Sequence, residues 1–442
     1  MSPPVTRIPS DEKLPASAEI VVIGGGVAGI TAAYNLAKKG HSVAVVEKGN
    51  VAGEQSSRNW GWCRQQNRDL RELELAQRAV EMWSGMNEEL GAETGFRRTG
   101  LVYVTTSQSD LDAWTRWVDA ARERQMRSHV LSATEAKAMT PGSTSNWIGG
   151  IHSPTDGRAE PALAVPAIAQ GARKLGVTIH QECAARGLET AAGRVSGVVT
   201  EKGTIRTSTV LVAGGVWTSL FCRHHGIDLP LAGVRSTSFF TAPAPQITEG
   251  GISTPDVTFR RRLDGGYTIG ISGRGLLELS PQGLKYAKPF WRSFKKRYKL
   301  LTIRAGRSFF DGPEAWLRWS NDSVSPFERM RTYDPPAQEK LVTFALKRIG
   351  EIYPELANLK IMHKYGGLID FTPDWLPVIS AVDTLPGLHV SAGFSGHGFG
   401  IGPGAGRLAA DIVAGDPPIV DPHPFRYSRL VDGTDLGEPG MM

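Results

Sequence analysis

Hydrophobic and polar positions change period along the chain, and each change marks an element. Residues Ile20-Val21-Val22-Ile23 form an unbroken β-branched run, as a strand buried on both faces requires. A glycine-rich turn, Gly24–Gly29, follows. Ile30 to Lys39 then takes Ala-rich helical spacing up to Gly40, and Ser42 to Val46 reads as a second strand ending on Glu47. From Asp69 to Leu90 the apolar positions Leu70, Leu73, Ala76, Val80, Trp83 and Leu90 recur at helical spacing. Leu101 to Val104 predicts a strand, and Asp110 to Arg127 a charged helix with Asp110 as its N-cap. A helix over Ala162–Leu175 stops at Gly176, and short strands follow at 177–179, 195–200, 204–207 and 210–212.

The middle of the chain changes character. Phe239-Phe240-Thr241, Val257-Thr258-Phe259 and Tyr267-Thr268-Ile269 alternate with turns such as Asp264-Gly265-Gly266, predicting antiparallel strands over 236–280. A helix over Val342–Tyr353, a strand over Gly387–Ala392 and a helix over Ala405–Ala414 complete the reading. No internal repeat appears. The segments 1–17 and 431–442 lack periodicity and are expected as flexible tails, the first being too polar for a signal peptide.

Composition narrows the classes. The 442 residues exceed one compact core and predict two units. Hydrophobic residues at 40% and charged residues at 21% suit a globular chain, and 51 glycines indicate backbone that must approach something closely. The net charge of +6 comes without a nucleic-acid-binding motif, so a nucleic-acid partner is not expected. No apolar run is long enough to span a bilayer. Three scattered cysteines, Cys63, Cys183 and Cys222, argue for a reducing compartment, and the cytoplasm is the expected location. Cys222-Arg223-His224-His225 lacks a fourth ligand, so no metal site is expected.

Gly24-Gly25-Gly26-Val27-Ala28-Gly29 fits GxGxxG. Its first glycine permits the turn, its second lets a pyrophosphate approach the backbone, and its third lets helix and strand pack. The strand before it, the helix after it and Glu47, placed to accept from ribose hydroxyls, make this a dinucleotide-binding βαβ start. It does not by itself separate NAD from FAD. Two later blocks bear on that choice: Thr209-Val210-Leu211-Val212-Ala213-Gly214-Gly215-Val216-Trp217, and Ser391 to Gly404 with the core Gly393-Phe394-Ser395-Gly396-His397-Gly398-Phe399-Gly400.

With these blocks and Asp156-Gly157-Arg158-Ala159-Glu160-Pro161, the chain resembles the FAD-dependent amine and amino-acid oxidase superfamily over residues 18–425. That superfamily includes D-amino acid oxidase, glycine oxidase, sarcosine oxidase and opine dehydrogenase subunits. The GFSGHGFG block is most similar to the sarcosine-oxidase branch. The resemblance implies an α/β fold: a Rossmann-like FAD-binding domain (18–95, 150–235 and 365–430) interleaved with an α+β substrate domain (96–149 and 236–364) on a mainly antiparallel sheet. It implies non-covalent FAD, because the positions where relatives attach the flavin hold Gly367 and Asn59.

The same resemblance implies the candidate cofactor residues. They are Gly24, Gly26, Val27, Ala28, Gly29, Glu47 and Lys48 in the opening unit. Ser56, Ser57, Arg58, Trp60, Gly61, Trp62 and Cys63 belong to the loop expected to wrap the pyrophosphate and pass under the ring. Ala184, Ala213, Gly214, Trp217 and Gly367 lie mid-chain, and Gly396, His397, Gly398, Phe399, Gly400 and Ile401 lie at the end. Backbone N–H groups and a helix N-terminus in that last block would stabilise negative charge on a reduced flavin. Arg64, a candidate bidentate partner for a substrate carboxylate, and His397 are the candidate catalytic residues. Two anionic-substrate anchors of relatives are replaced, one by Ile369 and one by Gly400.

The expected activity is oxidation of a C–N bond in a small amine or amino acid. Oxygen or another acceptor would take the electrons, in a homo- or hetero-oligomer. A hydroxy-acid or polyol dehydrogenase and a flavin-binding subunit of a larger assembly are the alternatives. The run Arg260-Arg261-Arg262 is expected at a solvated strand edge. Phe290 to Lys299 is expected as a helix with its aromatic face in the core, a membrane-surface contact being the other reading.

Overall fold

The computed structural model describes residues 2–438 and 440. The first strand, Ile20–Ile23, lies inside a six-stranded sheet. Its order is Val378–Ala381, Leu388–Ala392, Thr209–Val212, Ile20–Ile23, Val43–Val46 and Thr178–His180. Every neighbouring pair is parallel except the antiparallel pair at the Val378 edge. Val21, Val22 and Val45 are fully buried, as an apolar run covered on both faces requires. The sheet gathers segments from the start, middle and end of the chain, so their turns converge at one end of its central strands.

Helices Val27–Lys38, Leu73–Leu90, Pro161–Lys174 and Gly398–Ala414 share one core against this sheet. The last begins at Gly398, well before the expected start at Ala405, so GHGFG opens the helix itself. Its glycines allow close packing. A Cβ at Gly400 would lie 2.6 Å from the Trp62 carbonyl oxygen, and one at Gly404 would lie 2.9 Å from that of Leu75. Trp83 closes the contact by donating Nε1–H to the Gly400 carbonyl at 2.9 Å.

The second large element is a ten-stranded sheet. It is mixed but mostly antiparallel, with parallel pairs where Gly251–Ser253 meets Leu101–Thr105 and where Gly275–Leu279 meets Leu301–Ala305. The strands Ala232–Thr241 and Ile361–Phe371 pair antiparallel along their length and lead from this sheet back to the six-stranded one. A three-stranded antiparallel sheet spans Ala185–Arg206.

Several expectations change. The helix expected from Asp110 starts at Gln108, capped by Ser107, whose hydroxyl accepts from the Asp110 amide. Residues 2–17 lie along the body rather than free: Asp11 pairs with Arg173 and accepts from the Ile179 amide at 2.7 Å, and Ile8 is buried. At the other end Arg292 pairs with Asp435 at 2.6 Å. Of the two expected tails, Met1, Pro439, Met441 and Met442 lie outside the described residues. Arg260 is buried, not at a solvated edge, with both terminal nitrogens on Glu160 at 2.8 and 2.9 Å. The helix Ala287–Arg297 buries only Ser293 and leaves Trp291 56% exposed, so its aromatic face is not in the core. Cys222 is buried with its thiol pushed up to about 12 by burial. His224 stacks on Trp319, and His225 accepts from the Leu188 amide.

Candidate functional site

The converging turns of the six-stranded sheet border a cleft open to solvent, with about 1260 Å3 of space outside the protein atoms, open solvent included. Gly24 needs its φ of +117°, since a Cβ there would stand 2.4 Å from the Ala213 carbonyl oxygen. This close approach joins the opening turn to the Ala213-Gly214 turn. Gly29 sits over the Gly24 carbonyl, where a Cβ would come within 2.1 Å, so helix and strand pack directly. Glu47 ends the second strand with Oε2 accepting from the Gly25 amide at 2.6 Å and Oε1 from the Gly49 amide at 2.7 Å. Burial raises its carboxyl pKa above the ordinary value. Ser56 reaches the N-terminus of the opening helix and accepts from the Val27 amide at 2.9 Å.

Among the candidates, Gly24, Gly26, Val27, Ala28, Glu47, Lys48, Ser56, Ala213, Gly214, Trp217, Gly396, Gly398 and Phe399 border this one cleft, although they come from three distant parts of the chain. Lys48 is also a brace. Its ammonium pairs with Glu54 at 2.5 Å, lies 4.4 Å from the Trp217 ring centroid, and donates to the Met330 and Arg331 carbonyls. Glu54 in turn accepts from Trp217 Nε1 and the Tyr333 amide.

Other candidates stand behind the wall. Ser57 donates to the Glu54 carbonyl, and Arg58 turns away to the Tyr333 carbonyl and Asp334. Trp60 donates to Ser238 Oγ at 2.9 Å and lies on Gly270, where a Cβ would come within 2.2 Å of the indole. Gly61, at φ +75°, packs against Arg260, and Trp62 lies edge-on to Trp60 against Gly251. Cys63 is fully buried, and burial pushes its thiol well above the ordinary range. Ala185 borders the cleft where Ala184 was the candidate; the Ala184 amide donates to Glu201. Gly367 lies under Gln55, while the following Leu368 and Ile369 border the cleft. Gly29 and Ile401 are buried in the helix core, and Gly400 packs on Trp62.

Arg64 and His397 belong to a buried charged cluster beside the first turn of the Gly398 helix. Arg64 donates to the Gln66 carbonyl at 2.9 Å and lies 5.7 Å from the Tyr103 ring centroid. His397 Nδ1 is 3.1 Å from Glu72 Oε1, and burial holds the imidazole pKa below its ordinary value. Burial, with Arg64 nearby, lowers Arg68 to about 9. Asp156 is raised to about 6 by burial while it accepts from the Gln65 and Gln66 amides.

Sequence reasoning left out Gln55, Thr218, Asp370 and Ser391, which also border the cleft. Ser391 opens a quoted block, Gln55 and Thr218 adjoin the candidates Ser56 and Trp217, and Asp370 follows Ile369; that was the available signal. Asp370 accepts from the Gly393 amide at 2.7 Å, and burial raises it to about 6. Gln55 Oε1, Thr218 Oγ1 and Ser391 Oγ are buried with no partner inside the protein. Buried polar atoms demand partners. A dinucleotide with ribose hydroxyls and phosphates meets that demand, so the residues present fit such a cofactor.

Comparison with known proteins agrees. The family model described as DAO, FAD dependent oxidoreductase, matches residues 19–412. The solved L-amino acid deaminase from Proteus myxofaciens, in complex with anthranilate, is 31% identical, with a TM-score of 0.92 over 97% of each chain. Human mitochondrial sarcosine dehydrogenase is 26% identical over 94% of this chain but only 42% of its own length. The chain thus spans less than half of the first curated relatives it matches. Sarcosine oxidase subunit beta from Arthrobacter sp is 24% identical over 96% of this chain and 94% of that protein. With the family match spanning nearly all of the chain and the cleft built from its blocks, the protein belongs to the DAO family of FAD-dependent oxidoreductases, enzymes with FAD as cofactor.

Proposed function

We propose that the protein oxidises the C–N bond of a small α-amino acid or N-methyl amino acid, giving an imine that water hydrolyses. The carrying observation is the end-to-end match to an L-amino acid deaminase structure, reinforced by relatives named for sarcosine. FAD bound in the cleft supplies the two-electron acceptor for the hydrogen on the carbon next to nitrogen. The chain's own task is to bind, orient and exclude water.

In this reading Glu47 holds ribose hydroxyls, and Gly26 with the Ser56 hydroxyl beside it meets the pyrophosphate. The first N–H groups of the Gly398 helix, which borders the cleft, would stabilise negative charge on a reduced flavin. Trp60 and Trp62 wall the reaction space off from the ten-stranded sheet, consistent with their packing on Gly270 and Gly251. Arg64 anchors the substrate carboxylate, and His397, held neutral by its burial, lines the same region.

The cofactor domain is 18–95, 150–235 and 365–430, and the substrate domain is 96–149 and 236–364, supported by the separate six- and ten-stranded sheets. FAD is held without a covalent bond. Oxygen or another acceptor reoxidises it, and assembly with other subunits is supported by the name of the sarcosine oxidase subunit relative. Among the described residues no helix is long and apolar enough to cross a membrane. The location proposed is the cytoplasm, supported by three buried, unpaired cysteines.

Anaerobic bleaching of the bound flavin by L-, D- and N-methyl amino acids, simple amines and 2-hydroxy acids tests the reading. Bleaching by an amino or N-methylamino acid is expected. Bleaching by hydroxy acids alone, or by nothing in the panel, overturns it. Arg64→Ala should raise KM for a carboxylate substrate by about 1–3 kcal/mol of lost binding and leave uncharged amines little changed. An equal loss for both would assign Arg64 to the scaffold.

A further inference from the structure

Between the turn at Arg307–Phe309 and the helix Glu339–Ile352 the chain runs through irregular backbone that carries the four-residue helix Pro326–Arg329. Connections of that length are usually functional or disordered. This one is pinned, and to the cofactor side of the molecule. Trp319 donates Nε1–H to the Arg186 carbonyl at 2.7 Å, and Glu328 accepts from Arg186 Nε and Nη2 at 3.0 and 2.9 Å. Arg331 donates to the Lys48 carbonyl at 2.9 Å and pairs with Glu201, Nη2 to Oε2 at 2.6 Å. Tyr333 completes the run: its amide donates to Glu54 at 2.9 Å, and its carbonyl accepts from Arg58 at 2.6 Å.

These anchors gather at one end of the cleft. Lys48 and Gly49 directly follow Glu47, and the strap backbone presses on them: a Cβ on Gly49 would come within 2.5 Å of the Arg331 carbonyl oxygen. Glu201 also accepts from the Ala184 amide at 2.6 Å, next to Ala185 on the cleft wall. Phe327 carries the strap into that wall. It is buried against Trp217 and Trp319, with ring centroids 5.8 and 5.3 Å away. Around this apolar plug the hold is polar. Arg186, Glu201, Glu328 and Arg331 are all half-buried, where water can replace each partner. Segments held by few buried apolar contacts are the ones that open locally.

We propose that residues 319–334, bearing Phe327, form a strap over the adenosine half of FAD, with the Arg331–Glu201 and Arg186–Glu328 pairs as the latch that opens for the cofactor to enter or leave. The proposal rests on the placement of the cofactor with its ribose at Glu47. The strap belongs to the stretch 236–364, whereas Arg186 and Glu201 belong to the cofactor domain, so closing the latch also ties the two together around the flavin. Both pairs are bidentate, which fixes the closed geometry, and neither needs the core to be exposed when it breaks.

The test follows FAD leaving the holoprotein and returning to the flavin-free full chain, both read by flavin fluorescence. A latch limits traffic in both directions. Arg331→Ala and Arg186→Ala should therefore each speed release by about tenfold, the loss of one charge-assisted pair, and speed uptake as well. Arg331→Cys with Glu201→Cys, joined by a short bismaleimide, should retain FAD that the same protein releases before cross-linking; the native cysteines are buried. Release at the parental rate from both alanine variants, faster release without faster uptake, or release unaffected by the cross-link would each overturn the strap. Gly26→Val separates this from the placement of the cofactor. Loss of flavin there supports the placement, and flavin retained there would overturn the placement and the strap together.

Discussion

At the scale of single residues, the buried ion pair of Arg260 and Glu160 joins the ten-stranded sheet to the helix that opens at Pro161. Both side chains are almost wholly inside, at 0% and 6% exposure. Burial alone would raise the Glu160 carboxyl, but the Arg260 guanidinium outweighs it and the pKa falls below the ordinary value. A carboxylate depressed in this way adds stability above its unfolded pKa, and that stability is lost as pH falls through the folded value. Arg260→Ala would strand the Glu160 charge and should cost about 3–5 kcal/mol in urea unfolding near pH 7. The deficit should shrink on acidification, because Glu160 in the variant takes up a proton instead. A deficit independent of pH would mean that packing of Arg260, not its charge, matters. The arginine run was visible in the sequence; its partner, a hundred residues earlier, was not, because pairing depends on which strands become neighbours.

At the scale of elements, the Gly398–Ala414 helix shows what a glycine pattern leaves open. Alternating glycines read as a flexible turn, since glycine is a poor helix former. Here the helix is kept because Gly400, Gly402, Gly404 and Gly406 each face a neighbour too close for a side chain. At Gly400 that neighbour is backbone, the Trp62 carbonyl at 2.6 Å from a Cβ, and no rotamer relieves it. Gly400→Ala should therefore destabilise the protein by about 1–3 kcal/mol in thermal or urea melts, and flavin should dissociate more readily. Unchanged stability would show that loop 60–64 can retreat. The same contact leaves no room for a side chain at position 400, where the resemblance implied that an anionic-substrate anchor is replaced. The Ala287–Arg297 helix makes the complementary point: its aromatic spacing predicted a helix correctly, but period alone does not say which side meets the body.

At the scale of the molecule, the cofactor cleft is assembled from three sequence-distant blocks, and its walls bear on how the flavin is held. Cys63 is the cysteine of the loop beside the cleft, yet it is fully buried and its thiol is pushed well above the ordinary range, leaving it un-ionised at neutral pH. Acid precipitation of the purified protein should leave all yellow colour in the supernatant. Flavin carried on a tryptic peptide containing Cys63 would refute the non-covalent assignment. Gly24, Gly29, Glu47 and the strands beside them were legible from sequence because their roles are local: a turn, a helix start and a carboxylate at a strand end sit within one βαβ unit. The Rossmann-like fold followed for the same reason. Gln55, Thr218, Asp370 and Ser391 entered the site only through tertiary structure, and so did the burial of Arg260 and the outward face of Trp291. Their environments are set by contacts between elements distant in the chain, and neither periodicity nor motif spacing encodes which elements meet.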